Sequence, residues 1–507
     1  MAIRMSGLVS NMDTDSIIKE LMSAQRLKAT KIENKITTSE WKQDIWKSLN
    51  SKLYSFYTGS LSKIKLQANY NTRAGSSSDE SNATVTASSS APTGTHTLKI
   101  SQLAMAQNVT GAALSGVTTA TKLTSLGYSS GDTITVGVGS SSKTITVDDT
   151  STVSSLVSSL KSAGLNASFD ATQKRFFISS KQSGSDNSFS LASSNTTALA
   201  ALGLNAIDTS SGTAVASGSA GMTLVTGQDA EFEYNGVAMT NSSNTVSVNG
   251  LTITLKSVTD GSSTESTADD EVINLNVTND SQAVYDMVKS FLTEYNEILK
   301  QMNTYYSADS SKGYDPLTDE QKEAMSDDEI EKWETKIKDS LLRRDGNLNT
   351  LISTMRSSMS GSVSVNGKSY ALSSYGISTA VYTENGLLHI DGDEEDSLTS
   401  SEDDKLLAAI EDDPDTVAKV IAGLASNLYS SFSSQMKSST LRSALTLYND
   451  KELSKQIDDY EDDLDTLEDK LTDMEDRYYK QFTAMETAMS KLNSQSSSLT
   501  ALLGSSS

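Results

Sequence analysis

The chain contains no cysteine and only two histidines in 507 residues. Without cysteine there are no disulfides and no zinc–thiolate sites, although that alone does not fix the compartment. His96 and His389 fall in different blocks of the sequence, and neither is accompanied by a nucleophile motif. No apolar run reaches the roughly eighteen residues that a membrane span requires. The start, MAIRMSGLVSNMDTDSIIKELM, lacks the apolar block of about 7–15 residues found in a secretory signal. Hydrophobic residues make up 36% of the chain, against a usual figure of about 45–50%. One large, deeply buried globule is therefore excluded in favour of several small cores, or of burial against partners. The length allows roughly three or four domains. Basic residues are outnumbered 41 to 65, giving a net charge of -24. That field repels a phosphate backbone, so nucleic acid is not expected as a partner, and without a long apolar run neither is a membrane.

What is present is uneven along the chain. By the usual routes the missing signal reads as cytoplasmic. Ser, Thr, Asn and Gly, however, fill long stretches between Gly75 and Gly227, as in an extracellular β-protein. Export without a cleaved signal reconciles the two.

Residues 1–70 are helical in pattern. Asp13 is placed as an N-cap, and Ile17, Leu21, Ile32, Ile36, Ile45, Leu49, Leu53, Phe56 and Ile64 recur at helical spacing, with an interruption expected around Thr37–Glu40. This segment carries eleven Lys/Arg and six Asp/Glu, so it is basic within an acidic protein. From about 75 to 278 the pattern turns to strands. GTHTLKISQLA alternates Leu98, Ile100 and Leu103. DTITVGVGSSSKTITVDD reads as a hairpin, and STVSSLVSSLKSAG as a short helix. Asn249-Gly250, set between alternating runs, suits a type I′ turn. From Ser281 the helical period returns, with Val284, Met287, Val288, Phe291, Tyr295, Ile298 and Met302 on one stripe. A short strand pair is expected in SYALSSYGISTAVYTENGLLHID, and a helix starting at Asp413-Pro414.

A last long helix is expected over about 443–493, with a weaker tail after Ser494. Leu453, Ile457, Tyr460, Leu464, Leu467, Leu471, Met474 and Tyr478 alternate in steps of three and four. Two successive steps of four carry the seam to Phe482, and Met485, Met489 and Leu492 resume it. Such a stutter locally unwinds a coiled coil without ending it. An ordinary surface helix has a broader apolar stripe than this narrow seam. Asp450 to Lys480 carries thirteen acidic and five basic residues. Opposite charge excess on two narrow-seam helices favours pairing chain start with chain end, as a stalk carrying the β-block as an insertion.

Chemical motifs are weak by comparison. DGDEEDSLTSSE, Asp391–Glu402, has acids at positions 1, 3, 5 and 12 of a calcium loop, but Asp396 stands where the turn needs glycine. GVGSSSKT, Gly137–Thr144, mimics a phosphate loop with Ser142 in place of the second glycine, and lies in a hairpin. A carboxylate pair for glycoside hydrolysis cannot be singled out among 65 acids. Trp41, Trp46 and Trp333 lie in helical patterns and read as packing residues. No catalytic residue, metal ligand or cofactor is assigned.

Several long motifs resemble the bacterial flagellar filament cap family, also called hook-associated protein 2. SGLVSNMDTDSIIKELMSAQ is similar to that family's opening motif, and GTHTLKISQLAMAQ to its first strand block. VDDTSTVSSLVSSLKSAGLNASFD is similar to a repeat shared with flagellins. PLTDEQKEAMSDDEIEKWETKIKDSLLRRD and RYYKQFTAMETAMSKLNSQSSSLTALL resemble the C-terminal part. The resemblance covers nearly the whole length in the family's order. It implies a multidomain α+β protein: long terminal coiled-coil helices forming a stalk, a helical body, and β-rich head domains inserted between them. The expected division is a leg at 1–42, body at 43–74, proximal head at 75–110, distal head at 111–227, proximal head again at 228–278, body at 279–445 and leg at 446–507.

The resemblance further implies export through the flagellar type III apparatus and a homo-oligomeric ring at the extracellular filament tip. There the ring would guide exported flagellin into place and prevent its loss to the medium. Implied partners are further copies of the chain, flagellin, the hook–filament junction protein and a flagellar export chaperone. The expected coiled-coil or oligomer contacts are Ile17, Leu21, Ile32, Ile36, Leu453, Ile457, Leu464, Leu467, Leu471, Met474, Tyr478, Phe482, Met485, Met489 and Leu492. Two other readings stand beside it: a different flagellar axial component of the junction or flagellin kind, and a secreted adhesin binding host mucin or glycans through its β-rich head. An enzyme is the least supported.

Overall fold

The computed structural model describes residues 13–139, 141–208, 221–259, 272–379 and 381–504. Residues 6–12 of the opening motif and Ser140 of the phosphate-loop-like run lie outside the described residues. The chain forms two units: residues 1–70 with 281–507, and residues 71–280.

The first unit is helical. Its opening helix, Thr14–Thr58, starts where the Asp13 side chain accepts the Ser16 amide at 3.1 Å. The helix runs unbroken through Thr37–Glu40, where an interruption was expected. There the Thr38 hydroxyl donates to the Asn34 carbonyl at 2.8 Å, so the polar side chain is satisfied within the helix. This one helix serves two separate cores. Trp46, Leu49, Leu53 and Phe56 enter a large core with the helices Ser281–Ser307, Gly346–Met359, Lys405–Asp412 and Pro414–Gln435. Ile18, Met22 and Ala29 enter a small one with Leu471. In the large core Phe56 stacks on Phe291 at 5.6 Å and Trp46 lies parallel to Tyr448 at 5.2 Å. Each fully buried side chain of this size contributes about 1.5–3 kcal/mol. The Pro414 helix begins as expected, with the Asp413 carboxylate accepting the Thr416 amide at 3.1 Å.

Two short strand pairs flank this core, Val363–Val365 with Lys368–Tyr370 and Ile377–Ser378 with His389–Ile390. The last helix spans Asp450–Gly504, starting later and ending later than expected. At its start the Asp450 carboxylate accepts the Ser443 amide at 2.7 Å, holding 443–449 as a loop. At its end Ser494, Ser498 and Thr500 bond back to carbonyls four residues earlier at 2.8–2.9 Å. The serine-rich tail thus satisfies its hydroxyls without leaving the helix.

The second unit holds two β-cores. In one, the strands Arg73–Ser77, Ile273–Asn279, Gly94–Gln102, Ala230–Tyr234 and Val237–Asn241 form a five-stranded sheet in that spatial order. It packs on a three-stranded sheet of Thr245–Val248, Leu251–Leu255 and Ala83–Ala87. Leu98, Ile100, Ile253 and Leu275 alternate into the space between the two sheets. The expected Asn249-Gly250 turn joins Val248 to Leu251 in register. The other core joins the sheet of Thr223–Val225, Asn108–Thr110, Arg175–Ser180 and Leu165–Asp170 to a second sheet, Ser141–Thr146, Thr133–Val138 and Phe189–Ser193. The helix Val153–Ser162 covers it, capped by Thr152. Buried Gln107 bridges these strands, its amide accepting from the Phe189 N–H and donating to the Phe189 carbonyl, both at 2.9 Å.

Candidate interaction surface: the two-helix stalk

The Thr14–Thr58 and Asp450–Gly504 helices lie antiparallel. Asp15 accepts from the Tyr479 hydroxyl at 3.1 Å, Arg26 pairs with Glu475 at 3.3 Å, and Gln43 donates to Ser454 at 3.1 Å. As one number rises the other falls. At the base, Asn50 clasps the 443–449 loop: its amide donates to the Leu445 carbonyl at 3.3 Å, and its oxygen accepts from the Leu447 N–H at 2.9 Å. Lys42 pairs with Asp345 at 2.8 Å, and the Lys338 ammonium sits 4.4 Å from the Trp41 ring centre. These tie the 308–345 excursion to the first helix. Between them runs a largely polar groove of about 780 Å³, lined by Arg26, Glu33, Trp41, Lys322 and Glu468 among others.

The expected contact residues divide three ways. Leu471 is buried on Ile18, Met22 and Ala29, and Leu464, Leu467, Met474, Tyr478 and Phe482 are half-buried around that cluster. Leu453 and Ile457 are buried nearer the base, Leu453 as part of the large core. Ile17, Ile32, Ile36 and Met489 are half-buried. Leu21, Met485 and Leu492 are not enclosed, with exposures of 46%, 37% and 63%. On the first helix the seam runs one position later than expected, through Ile18 and Met22. Ile17-Ile18 and Leu21-Met22 are adjacent apolar pairs, and periodicity cannot choose between such neighbours without the partner helix.

Thr14, Ile18, Met22, Gln25, Ala29, Ile32 and Ile36 keep the three-four spacing once that register is known. Gln25 and Ala29 gave no apolar signal, and Ala29 is the small residue over which Leu471 packs. The first helix steps four-four through Thr14, Ile18 and Met22. It does so opposite the four-four step of the last helix at Met474, Tyr478 and Phe482. The two irregularities face each other, so both helices unwind at the same level and the seam stays closed through it.

One ion pair, Arg26–Glu475, crosses between the two helices among the described residues. Most of the acidic coat of the last helix faces outward. The carboxylates of the calcium-like loop are already engaged by the protein's own side chains. Lys289 lies 2.7 Å from Asp393 and 2.8 Å from Glu395, Lys405 3.0 Å from Asp391, and His389 Nδ1 2.5 Å from Asp396. Burial works against ionisation of Asp396, but the bonds from His389 and the Leu398 N–H outweigh it and hold its carboxyl below the usual range. His96 contacts the Tyr234 hydroxyl at 3.0 Å through Nδ1, inside a sheet. Among the described residues no helix is long and apolar enough to cross a membrane.

Comparison with known proteins gives two family matches: "Flagellar hook-associated protein 2 C-terminus" over residues 227–494 and "Flagellar hook-associated protein 2 N-terminus" over residues 10–107. The flagellar hook-associated protein 2 of Halalkalibacterium halodurans is 26% identical, covering 98% of this chain and 99% of that protein. The Escherichia coli K12 protein of the same name is 27% identical, over 97% and 96%. The crystal structure of the D1–D2–D3 domains of the flagellar cap protein FliD from Escherichia coli shares the fold, with a TM-score of 0.52. It is 22% identical and covers 77% of this chain and 97% of that one.

Proposed function

The chain belongs to the flagellar hook-associated protein 2 family, and from that premise we propose how it caps a flagellar filament. It is a filament-capping protein, at the extracellular tip of the flagellum, acting with further copies of itself and with flagellin. The family's role is structural: subunits are confined and placed, with no covalent step. Residues 1–42 and 446–507 are the leg, and 43–74 with 279–445 the body. Residues 75–110 with 228–278 are the proximal head, and 111–227 the distal head. The seam from Leu453 to Phe482 holds the leg's two helices together.

The observation that carries the leg assignment is apolar surface left over after that seam is closed. Leu21, Leu27, Met485, Leu492 and Leu499 are 46%, 62%, 37%, 63% and 58% exposed, all toward the far end of the stalk. Exposed leucine also occurs at Leu66, Leu398, Leu441 and Leu445, but on the stalk Met485, Leu492 and Leu499 recur at heptad spacing and prolong the apolar seam past the end of the first helix. These residues meet the helices of the filament end, and the narrow contact lets the leg release and re-dock as each subunit is added. Export through the flagellar type III apparatus, an export chaperone and a meeting with the hook–filament junction protein complete the reading. The family matches favour the cap over a glycan-binding adhesin.

The test is a deletion strain, scored for filament length by electron microscopy with flagellin in the medium quantified alongside. Short or absent filaments with abundant secreted flagellin, restored by adding the purified protein, are expected. Normal filaments would overturn the cap reading. Substituting Leu492 and Leu499 together by Glu isolates the leg: ring assembly is retained and filament growth lost. Growth at the wild-type rate would remove the leg assignment while leaving the cap.

A further inference from the structure

The sequence contains four Asn-Gly pairs, at 235–236, 249–250, 366–367 and 385–386. All four form tight turns of one geometry, with Asn at φ of 50°, 51°, 53° and 53° and Gly at 80°, 78°, 81° and 91°. Asn-Gly is also the dipeptide most open to spontaneous deamidation, because glycine leaves its amide nitrogen unshielded beside the Asn side chain. The four are matched in local chemistry and differ in what surrounds them.

Three are held. The Asn235 oxygen accepts the Thr97 amide at 2.8 Å, and its NH₂ lies 3.2 Å from His96 Nδ1. Asn249 is followed by a clamped glycine: the Gly250 carbonyl accepts from the Ser88 N–H at 2.9 Å, and Ala91 stands 3.0 Å from where a Cβ would be. Asn385 donates to the Thr383 carbonyl at 3.2 Å, its own carbonyl accepts from Asn303 at 3.2 Å, and Gly386 abuts the Arg356 guanidinium. The fourth differs. Asn366 is exposed at the tip of the Val363–Tyr370 hairpin, as Asn235 and Asn249 are at theirs, and nothing lies within 4 Å of a Cβ built on Gly367, as at Gly236. What sets Asn366 apart is that it has neither the side-chain partners of Asn235 nor the clamped glycine of Asn249. Among the described residues the Asn366 side chain has no hydrogen-bond partner.

We propose that Asn366 is a site of spontaneous deamidation in the folded protein and that the other three Asn-Gly turns are protected by their surroundings. The Gly367 amide nitrogen gives up its proton to water or hydroxide and attacks Asn366 Cγ. The Cγ–Nδ2 bond breaks, ammonia leaves, and a five-membered succinimide forms. One water then opens the ring at either carbonyl, giving aspartate or isoaspartate, with no oxidant or reductant involved. Either product adds a negative charge at the hairpin tip. Isoaspartate also inserts an extra backbone atom into a two-residue turn whose geometry sets the register of Val363 with Tyr370.

The experiment incubates the full folded chain at mildly alkaline pH and follows all four sites by peptide mapping. Mass spectrometry reads the mass gain, and fragmentation distinguishes aspartate from isoaspartate. Asn366 is expected to convert at least about tenfold faster than the others, a factor of the order given by one or two ordinary hydrogen bonds and a fixed backbone. A parallel incubation in denaturant is expected to bring the four rates together. Conversion of Asn366 no faster than that of Asn235, Asn249 or Asn385 would overturn the proposal. So would an order that persists unchanged in denaturant, because sequence rather than structure would then set it.

Discussion

Leu471→Ala perturbs the stalk at its tightest point. Leu471 is 7% exposed and is the one residue of the last helix fully inside the small core, against Ile18, Met22 and Ala29. Truncating a buried leucine costs about 2–5 kcal/mol, the spread reflecting how well the site collapses. A seam between two helices has neighbours on one side only and relaxes readily, so about 2 kcal/mol applies. At about 1.4 kcal/mol per tenfold, the opening equilibrium of the stalk shifts roughly 30-fold. Hydrogen exchange reads this directly. Amides of residues 18–36 should lose protection by that factor, while those of Ser281–Ser307, inside the large core, should not change. Unchanged protection at 18–36 would show that the seam is not what joins the helices. Equal loss in Ser281–Ser307 would show that the two cores are not independent.

Three further outcomes are expected. Trp46→Ala removes the ring stacked on Tyr448 at the stalk base, should cost about 3–5 kcal/mol, and should lower the denaturation midpoint of the helical unit without moving that of the β-unit. Asp450 is held below the usual carboxylate range: burial opposes its ionisation, but hydrogen bonds from Ser443 and Thr446 prevail. Its stabilisation is therefore complete above the ordinary value, and is lost as pH falls through the depressed one. Urea midpoints measured below about pH 4 should fall less steeply for Asp450→Asn than for the wild type. Gly250→Ala places a methyl 3.0 Å from Ala91 at φ +78°, and should destabilise the β-unit by about 1–3 kcal/mol in a calorimetric melt.

The helices were legible because each repeats a single spacing over many residues. Val284 to Met302, and Leu453 to Phe482, announce themselves without any partner. The register of the first helix was not legible, because Ile17-Ile18 and Leu21-Met22 offer two equivalent seams, and the true one passes through Gln25 and Ala29. Local β-hairpins were readable from their turns, as at Asn249-Gly250. The sheet order was not. Arg73–Ser77 pairs with Ile273–Asn279, a partnership about two hundred residues apart that no local pattern encodes. Nor did the acidic loop at 391–402 reveal its own neutralisation, since Lys289 lies about a hundred residues earlier.

The facing four-four steps limit how the stalk can change in length. Three or four residues added to one helix alone would swing every later seam residue away from its partner. Seven residues in each helix, added at the same level, restore the phase. They also move the tip about 10 Å further from the base. The reach of the leg is thus quantised, adjustable only by changes matched in both helices, whole heptads or facing four-residue steps, and the Thr14–Met22 and Met474–Phe482 steps mark a level that any such change must leave aligned.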